Sequence, residues 1–345
     1  MKMSAAKFKD EFRELVLRFL WRQWSALGVA GYDDGGDSWI IDPEALLLFS
    51  TTAATADPRL FDEILDWLVD QASWISLQRL PRLQREHELG SATVLAGIAS
   101  HLERRHGHRK WKVLCDRTPV PCGESNRLFA DLPQFGESDP DFLEWGWRRP
   151  LINHRRLSVR PSPDRPEAFF FKLRSLLGRQ ARVEILAWLL AHQEGHPAEI
   201  ARQTGYVRRT IQQTLNEMEF SGHIRSVRKG REKLFFVLHH EWNFLVAGSP
   251  ESEAEFPAWI QWPLVFKLLT RFHTLLANAS FDSLSDHARA IETRKTLNLE
   301  GLIKAGLPAH LLPRTTPSDP TFWNESASRI RELLRTQLSA TGTRK

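Results

Sequence analysis

The chain has 345 residues, 42% hydrophobic and 26% charged, with a formal net charge of +5 and a pI near 9.3. This is the balance of an ordinary globular protein that is too long for one small domain, so two or three units are expected. Two cysteines, Cys115 and Cys122, exclude a disulfide framework and make a reducing cytoplasm the expected location. No apolar run reaches the roughly 18 residues a membrane span needs, so no membrane partner is expected.

In chain order, Lys2, Lys7, Lys9, Asp10, Glu11, Arg13 and Glu14 interrupt the N-terminus, which does not read as a secretory signal. Phe8, Phe12, Leu15, Val16 and Phe19 recur at helical spacing and predict an amphipathic helix over 5–20. An acidic turn follows at Asp33, Asp34, Gly35, Gly36 and Asp37, ahead of a strand-like Trp39-Ile40-Ile41. With Asp42, these carboxylates lack the alternating pattern of a calcium loop and read as a solvated turn. Helices are predicted at 43–53, 58–72 and 91–105, the second with Asp57 as cap and Pro58 at its first position.

Residues 113–164 are rich in proline and glycine and predict irregular structure. His106, His108, Cys115 and Cys122 are residue types that zinc takes, but their spacing matches no common finger. Arg104, Arg105, Arg109, Lys110 and Lys112 flank them with like charge, so a basic surface loop is expected, with no metal and no cofactor. Trp145 and Trp147, followed by Arg148 and Arg149, read as buried packing with a basic edge rather than a base-stacking platform. The three prolines of Arg160–Pro166 mark a linker that closes an N-terminal, mostly helical domain over 1–160.

Residues 165–245 carry 13 Lys/Arg and 8 Asp/Glu, a net +5 equal to that of the whole chain, which suits a polyanionic partner. Val183, Ile185, Leu186, Leu189 and Leu190 mark a supporting helix over 181–192. Pro197 opens a short helix with Ile200 and Ala201 inward, and Gly205 ends it in the left-handed conformation glycine adopts without strain. The next helix, about 208–220, buries Ile211, Leu215 and Met218. It presents Arg209, Gln213 and Asn216 on the opposite face, and these side-chain types can pair with base edges. Arg208, Thr210, Gln212 and the turn residue Thr204 are placed for phosphates. After Gly222 the apolar period changes to two. Strands 223–228 and 232–238 join across Lys229-Gly230, with Arg225, Arg228, Lys229, Arg231 and Lys233 around the tip.

Glu199-Ile200-Ala201, Thr204-Gly205, Thr210-Ile211, Leu215-Asn216 and Ser221-Gly222-His223-Ile224 together resemble the winged helix-turn-helix of the MarR and ArsR transcription regulators. The match covers roughly 65 residues. The resemblance implies contact with double-stranded DNA by the second helix and the hairpin. Val207 stands where many such helices have a Ser or Thr cap, and the cysteines of ArsR-type metal sensors are missing from 171–245, so metal sensing is not carried over. Similar domains occur in antitoxins and defence-locus regulators.

Beyond a break at Gly248–Glu253, residues 257–340 predict a C-terminal helical region. Its first helix, 259–276, carries more apolar surface than one stripe needs. It is the first candidate for a homodimer face, with helix 5–20 second, although burial within the chain explains it equally well. The last helix, 323–338, has Ile330, Leu333, Leu334 and Leu338 as its stripe, and the tail from Thr341 reads as disordered. No phosphate-binding glycine loop, nucleophile elbow or H-E-x-x-H helix is present, so no enzyme is expected. The expectation is a mainly α protein with a central winged helix: a sequence-specific DNA-binding regulator, a repressor acting as a homodimer, whose N-terminal region takes an effector or protein partner. The alternative is an interaction protein, such as an antitoxin or defence-system subunit, in which the winged helix is secondary.

Overall fold

Elements form largely where the local signals predict them. The computed structural model describes residues 5–31, 38–246, 255–307, 313 and 319–335. The predicted turn at 33–37, the break at 248–253, Leu338 and the tail lie outside the described residues.

The structure is mainly helical. Helices α1 (Ala5–Ala26), α2 (Pro43–Ala53), α3 (Pro58–Gln71), α4 (Leu80–His87), α5 (Ala92–His106), α6 (Lys112–Arg117) and α7 (Pro140–Leu143) come first. Strands β1 (Asn126–Arg127) and β2 (Trp147–Arg148) form a short parallel pair among them. Then follow α8 (Phe169–Leu177), α9 (Ala181–Ala191), α10 (Pro197–Thr204), α11 (Arg208–Phe220) and the antiparallel hairpin β3 (Arg225–Lys229) and β4 (Glu232–Phe236). The chain closes with α12 (Trp262–Ala277), α13 (Asp286–Leu297), α14 (Leu299–Ala305) and α15 (Phe322–Arg335).

The cap predicted at Asp57 forms: its side chain accepts the backbone N–H groups of Arg59 and Leu60 and starts α3. Asp42 does the same for Glu44 and Ala45 at α2. The reading of Asp42 as part of a solvated turn is therefore corrected. It is buried, and its carboxylate also accepts hydrogen bonds from Arg79.

The first and last parts of the chain share one hydrophobic core. Phe8 of α1, Phe272 of α12 and Trp323 of α15 meet with ring centroids 5.6–5.9 Å apart, and Phe49 of α2 stacks on Phe266 of α12 at 4.7 Å. The two helices that sequence marks for a dimer face spend their apolar surface here. Trp262, Leu264, Val265, Phe266, Leu268, Leu269 and Phe272 are buried, as are Phe8, Phe12, Leu15 and Phe19. A helix apolar on nearly all sides is a core helix. The described residues of 257–335 thus pack as a closing layer of the N-terminal unit.

A second core unites α8–α11 with the hairpin. Helix α8 joins the two, since Phe171 lies in the first core and Phe169, Phe170 and Leu173 in the second. The segment leading into the proline-rich stretch is tied down. Val159 N–H donates to the Gly28 carbonyl at 2.8 Å, and Leu157 and Arg156 N–H donate to the Asp66 carboxylate, strapping the segment to the body.

Charge ties the two cores together. Arg79 and Arg174, both buried, face Asp42, Glu44 and Glu184, also buried. Arg174 donates to Glu44 at 2.8 and 2.9 Å and to Glu184 at 2.7 Å. Arg79 bonds both oxygens of Asp42, pairs with Glu44 and donates through Nε to the Thr204 carbonyl at 3.0 Å. Burial pushes the Glu44 carboxyl up, but Arg174 and Arg79 outweigh it and hold it below its ordinary value. Two cations facing three carboxylates pin α2, α4, α8 and α9 together and hold the α10–α11 turn.

Candidate nucleic-acid interface

Ile211, Thr214, Leu215 and Met218 bury one side of α11 against α9 and α10. The 3.6-residue period then leaves Arg208, Arg209, Gln213 and Asn216 on the outside, where all four are exposed. They help line an open concavity of about 750 Å3 with Gln212, Glu217 and Phe220. Helix α10 ends at Gly205 with φ +74°, so the chain reverses there, as predicted.

Gly195 supplies a contact with no signal in the sequence. Its N–H and carbonyl pair with those of Phe235 at 2.8 and 2.9 Å, adding a third strand segment beside β4. A Cβ at Gly195 would lie 2.1 Å from the Trp188 ring, so only glycine fits this approach. At the tip, Gly230 with φ +63° occupies the first position of a two-residue loop, a position suited to glycine.

Of the residues assigned to phosphates, Thr204 is corrected. It is fully buried, and its hydroxyl donates to the Ile200 carbonyl at 2.7 Å, so it has nothing to offer a ligand. The wing cations divide into two sets. Arg225, Lys229 and Lys233 are ion-paired with Glu241, Glu194 and Glu219. Arg228 and Arg231, like Arg208 and Arg209, are exposed and form no ion pair among the described residues. Thr210 is exposed and Gln212 half-buried.

On α11 itself, Gln212 donates to Asn216 and Gln213 to Glu217, each at 3.2 Å. These i,i+4 bonds orient the amides and are weak enough at an exposed surface to exchange for a ligand. Glu217 places a carboxylate on the same face, paired with Arg182 at 2.6 Å. Phe220 is 96% exposed at its end.

Val207 takes the N-cap conformation with φ −69° and ψ 137° but makes no capping bond. Val207→Ser supplies the missing acceptor and should stabilise the chain by about 0.5–2 kcal/mol, measured by urea unfolding. An unchanged midpoint would show that the free N–H groups of α11 are already satisfied.

The remaining sequence candidates separate. His108 Nε2 lies 2.7 Å from the Val69 carbonyl, Cys115 Sγ contacts the Ala96 carbonyl and Cys122 is exposed, so the suspected zinc set is not assembled. Burial pushes the Cys115 thiol up to about 11. Trp145 and Arg149 are buried, and Trp147 donates to Thr93, consistent with packing. His106 instead meets His101 and His154, two histidines that no sequence spacing connects. Among the described residues, no helix is long and apolar enough to cross a membrane. No family model, curated protein or solved structure matches the chain.

Proposed function

We propose that the chain binds double-stranded DNA in a sequence-specific manner, using α9–α11 and the β3–β4 hairpin as a winged helix-turn-helix, and that it acts as a transcriptional regulator, most simply a repressor. The observation that carries this reading is the solvent face of α11. Arg209, Gln213 and Asn216 project together from a helix whose other side is buried, and Arg208, Arg209, Arg228 and Arg231 form no ion pair among the described residues. A helix of this kind enters the major groove, while a cationic hairpin follows the backbone. In this reading Arg209, Gln213 and Asn216 meet base edges, and Arg208, Arg228 and Arg231 meet phosphates. Thr210 and Gln212 flank the reading face. The paired Arg225, Lys229 and Lys233 must first release a carboxylate and contribute less.

One such helix covers few base pairs, so the proposal includes two copies on a two-fold site. The apolar stripes of α1 and α12 are spent in the core and are not available for that contact. The exposed apolar side chains next to the hairpin unit, Leu176, Phe220 and Phe244, are the available alternatives.

Selection of bound sites from random duplex DNA, followed by titration of the selected site, tests this. Arg209→Ala with Gln213→Ala should remove preference for that site, since each bidentate base contact discriminates by about 1–3 kcal/mol. Arg228→Ala with Arg231→Ala should weaken all sequences alike and lower the slope of log K against log salt by about two. Wild-type binding by both double variants would end the DNA reading. The exposed Phe220 and the carboxylate of Glu217 favour a second reading, a protein-contact surface in an antitoxin or defence-system subunit. That reading gains if Phe220→Ala abolishes binding of a protein partner while DNA binding is nil.

A further inference from the structure

We propose that His101, His106 and His154 form a three-imidazole site for a zinc-class divalent cation, remote in sequence from α11 and independent of DNA binding. His101 Nε2 lies 2.9 Å from His154 Nε2, and His106 Nε2 lies 3.1 Å from the same atom. All three ligand atoms fall within 4.8 Å of one another. Four-coordinate zinc with bonds of about 2.0–2.1 Å sets its nitrogens roughly 3.3–3.4 Å apart. The two pairs that share His154 need to open by only a few tenths of an ångström to reach that spacing.

The outer sides of the rings are built to match. His101 Nδ1 faces Asp141 at 3.4 Å, and His154 Nδ1 faces Asp66 at 3.3 Å, with both carboxylates buried. A neutral imidazole has one N–H, and a carboxylate beside Nδ1 draws that proton to Nδ1. With the protons on Nδ1, the Nε2 atoms of His101 and His154 would confront each other as two lone pairs, an arrangement that a cation between them relieves. Two of the three ligands thus have a carboxylate on the far side of the ring, the usual support of a histidine metal site.

The backbone supports the same arrangement. His106 ends α5, where Gly107 reverses the chain with φ +72°. Arg156, two residues after His154, takes φ +52°, a conformation that is strained for a non-glycine residue. Its N–H donates to Asp66, so the strained turn fixes the carboxylate behind His154. Most of the surrounding positive charge is compensated: Arg104 pairs with Glu144, Arg105 with Asp141 and Arg155 with Glu63. His106 and His154 are only partly buried, which leaves the fourth position of the ion open to water. The site would clamp the 154–159 strap to α5.

The full chain, stripped with a chelator and titrated with Co2+ or Zn2+, tests this. One ion per chain should bind, with cobalt giving the visible absorption of a tetrahedral site. Zinc-edge X-ray absorption should show a nitrogen and oxygen shell with imidazole scattering and no sulfur. His101→Ala with His154→Ala should weaken binding by more than about 100-fold, beyond the 10–100-fold that loss of an outer partner such as Asp66→Asn should cost. His108→Ala should leave binding unchanged. Failure of the wild-type chain to bind at micromolar metal, a sulfur ligand, or retained affinity in the double variant would each overturn the site. If the double variant does not fold, the X-ray absorption of the wild-type chain decides by itself.

Discussion

Arg79→Met should lower the free energy of unfolding by about 3–5 kcal/mol, the usual cost of removing one partner from a buried ionic network. Arg79 is fully buried, faces Asp42 and Glu44, and lies 3.9 Å from Glu184. Without it, three buried carboxylates share the single charge of Arg174. The loss also reaches the candidate interface. The Thr204 carbonyl is one of the last acceptors of α10, which the helix cannot satisfy internally, and Arg79 Nε fills that role from the residue that precedes α4. The variant should therefore show weaker binding of any selected DNA site at temperatures where it is still folded. Urea unfolding with parallel DNA titration checks both effects. A loss below about 1 kcal/mol would mean that water replaces the guanidinium and that the network does not hold the two cores together.

Trp323→Ala should cost a similar 3–5 kcal/mol, the range for emptying a large aromatic site in a core. Its ring contacts Phe8, Phe272 and Phe281, which come from opposite ends of the chain. Because these side chains share one core, the variant should melt α1 together with α12 and α15 in a single transition. Hydrogen exchange across α1 is the discriminating measurement. If α1 keeps its protection while α15 loses it, the two regions fold independently and the shared core contributes little.

Much of the fold is legible locally. Asp57 and Pro58 announce α3, and Gly205 announces the end of α10, because caps and left-handed positions depend on a few adjacent residues. The stripe Ile211, Leu215 and Met218 gives both the buried and the open side of α11, since a helix turns by a constant angle per residue. The hairpin strands are shorter than the run of alternating residues, because Val237 and Leu238 leave the ladder while Val237 still packs in the core.

The misses have a common origin. Thr204 has a residue type suited to phosphate, yet whether a hydroxyl faces outward depends on what packs above it, here α4. Pro161 and Pro163 rule out a helix but say nothing about the strap that Gly28 and Asp66 hold down. Arg225 and Arg228 look alike in sequence, and only the position of Glu241 distinguishes a paired cation from a free one.

Taken alone, the order of residues determined helix positions, caps, the polar face of α11 and the concentration of positive charge in residues 165–245, all properties of neighbours along the chain. Tertiary structure alone decided that the two ends share a core, that Arg79 reaches Thr204 across 125 positions, and that His101 meets His154 across 53. Those outcomes depend on burial and Coulomb interactions between distant segments, whose energies fall off with separation in space and carry no trace in sequence spacing.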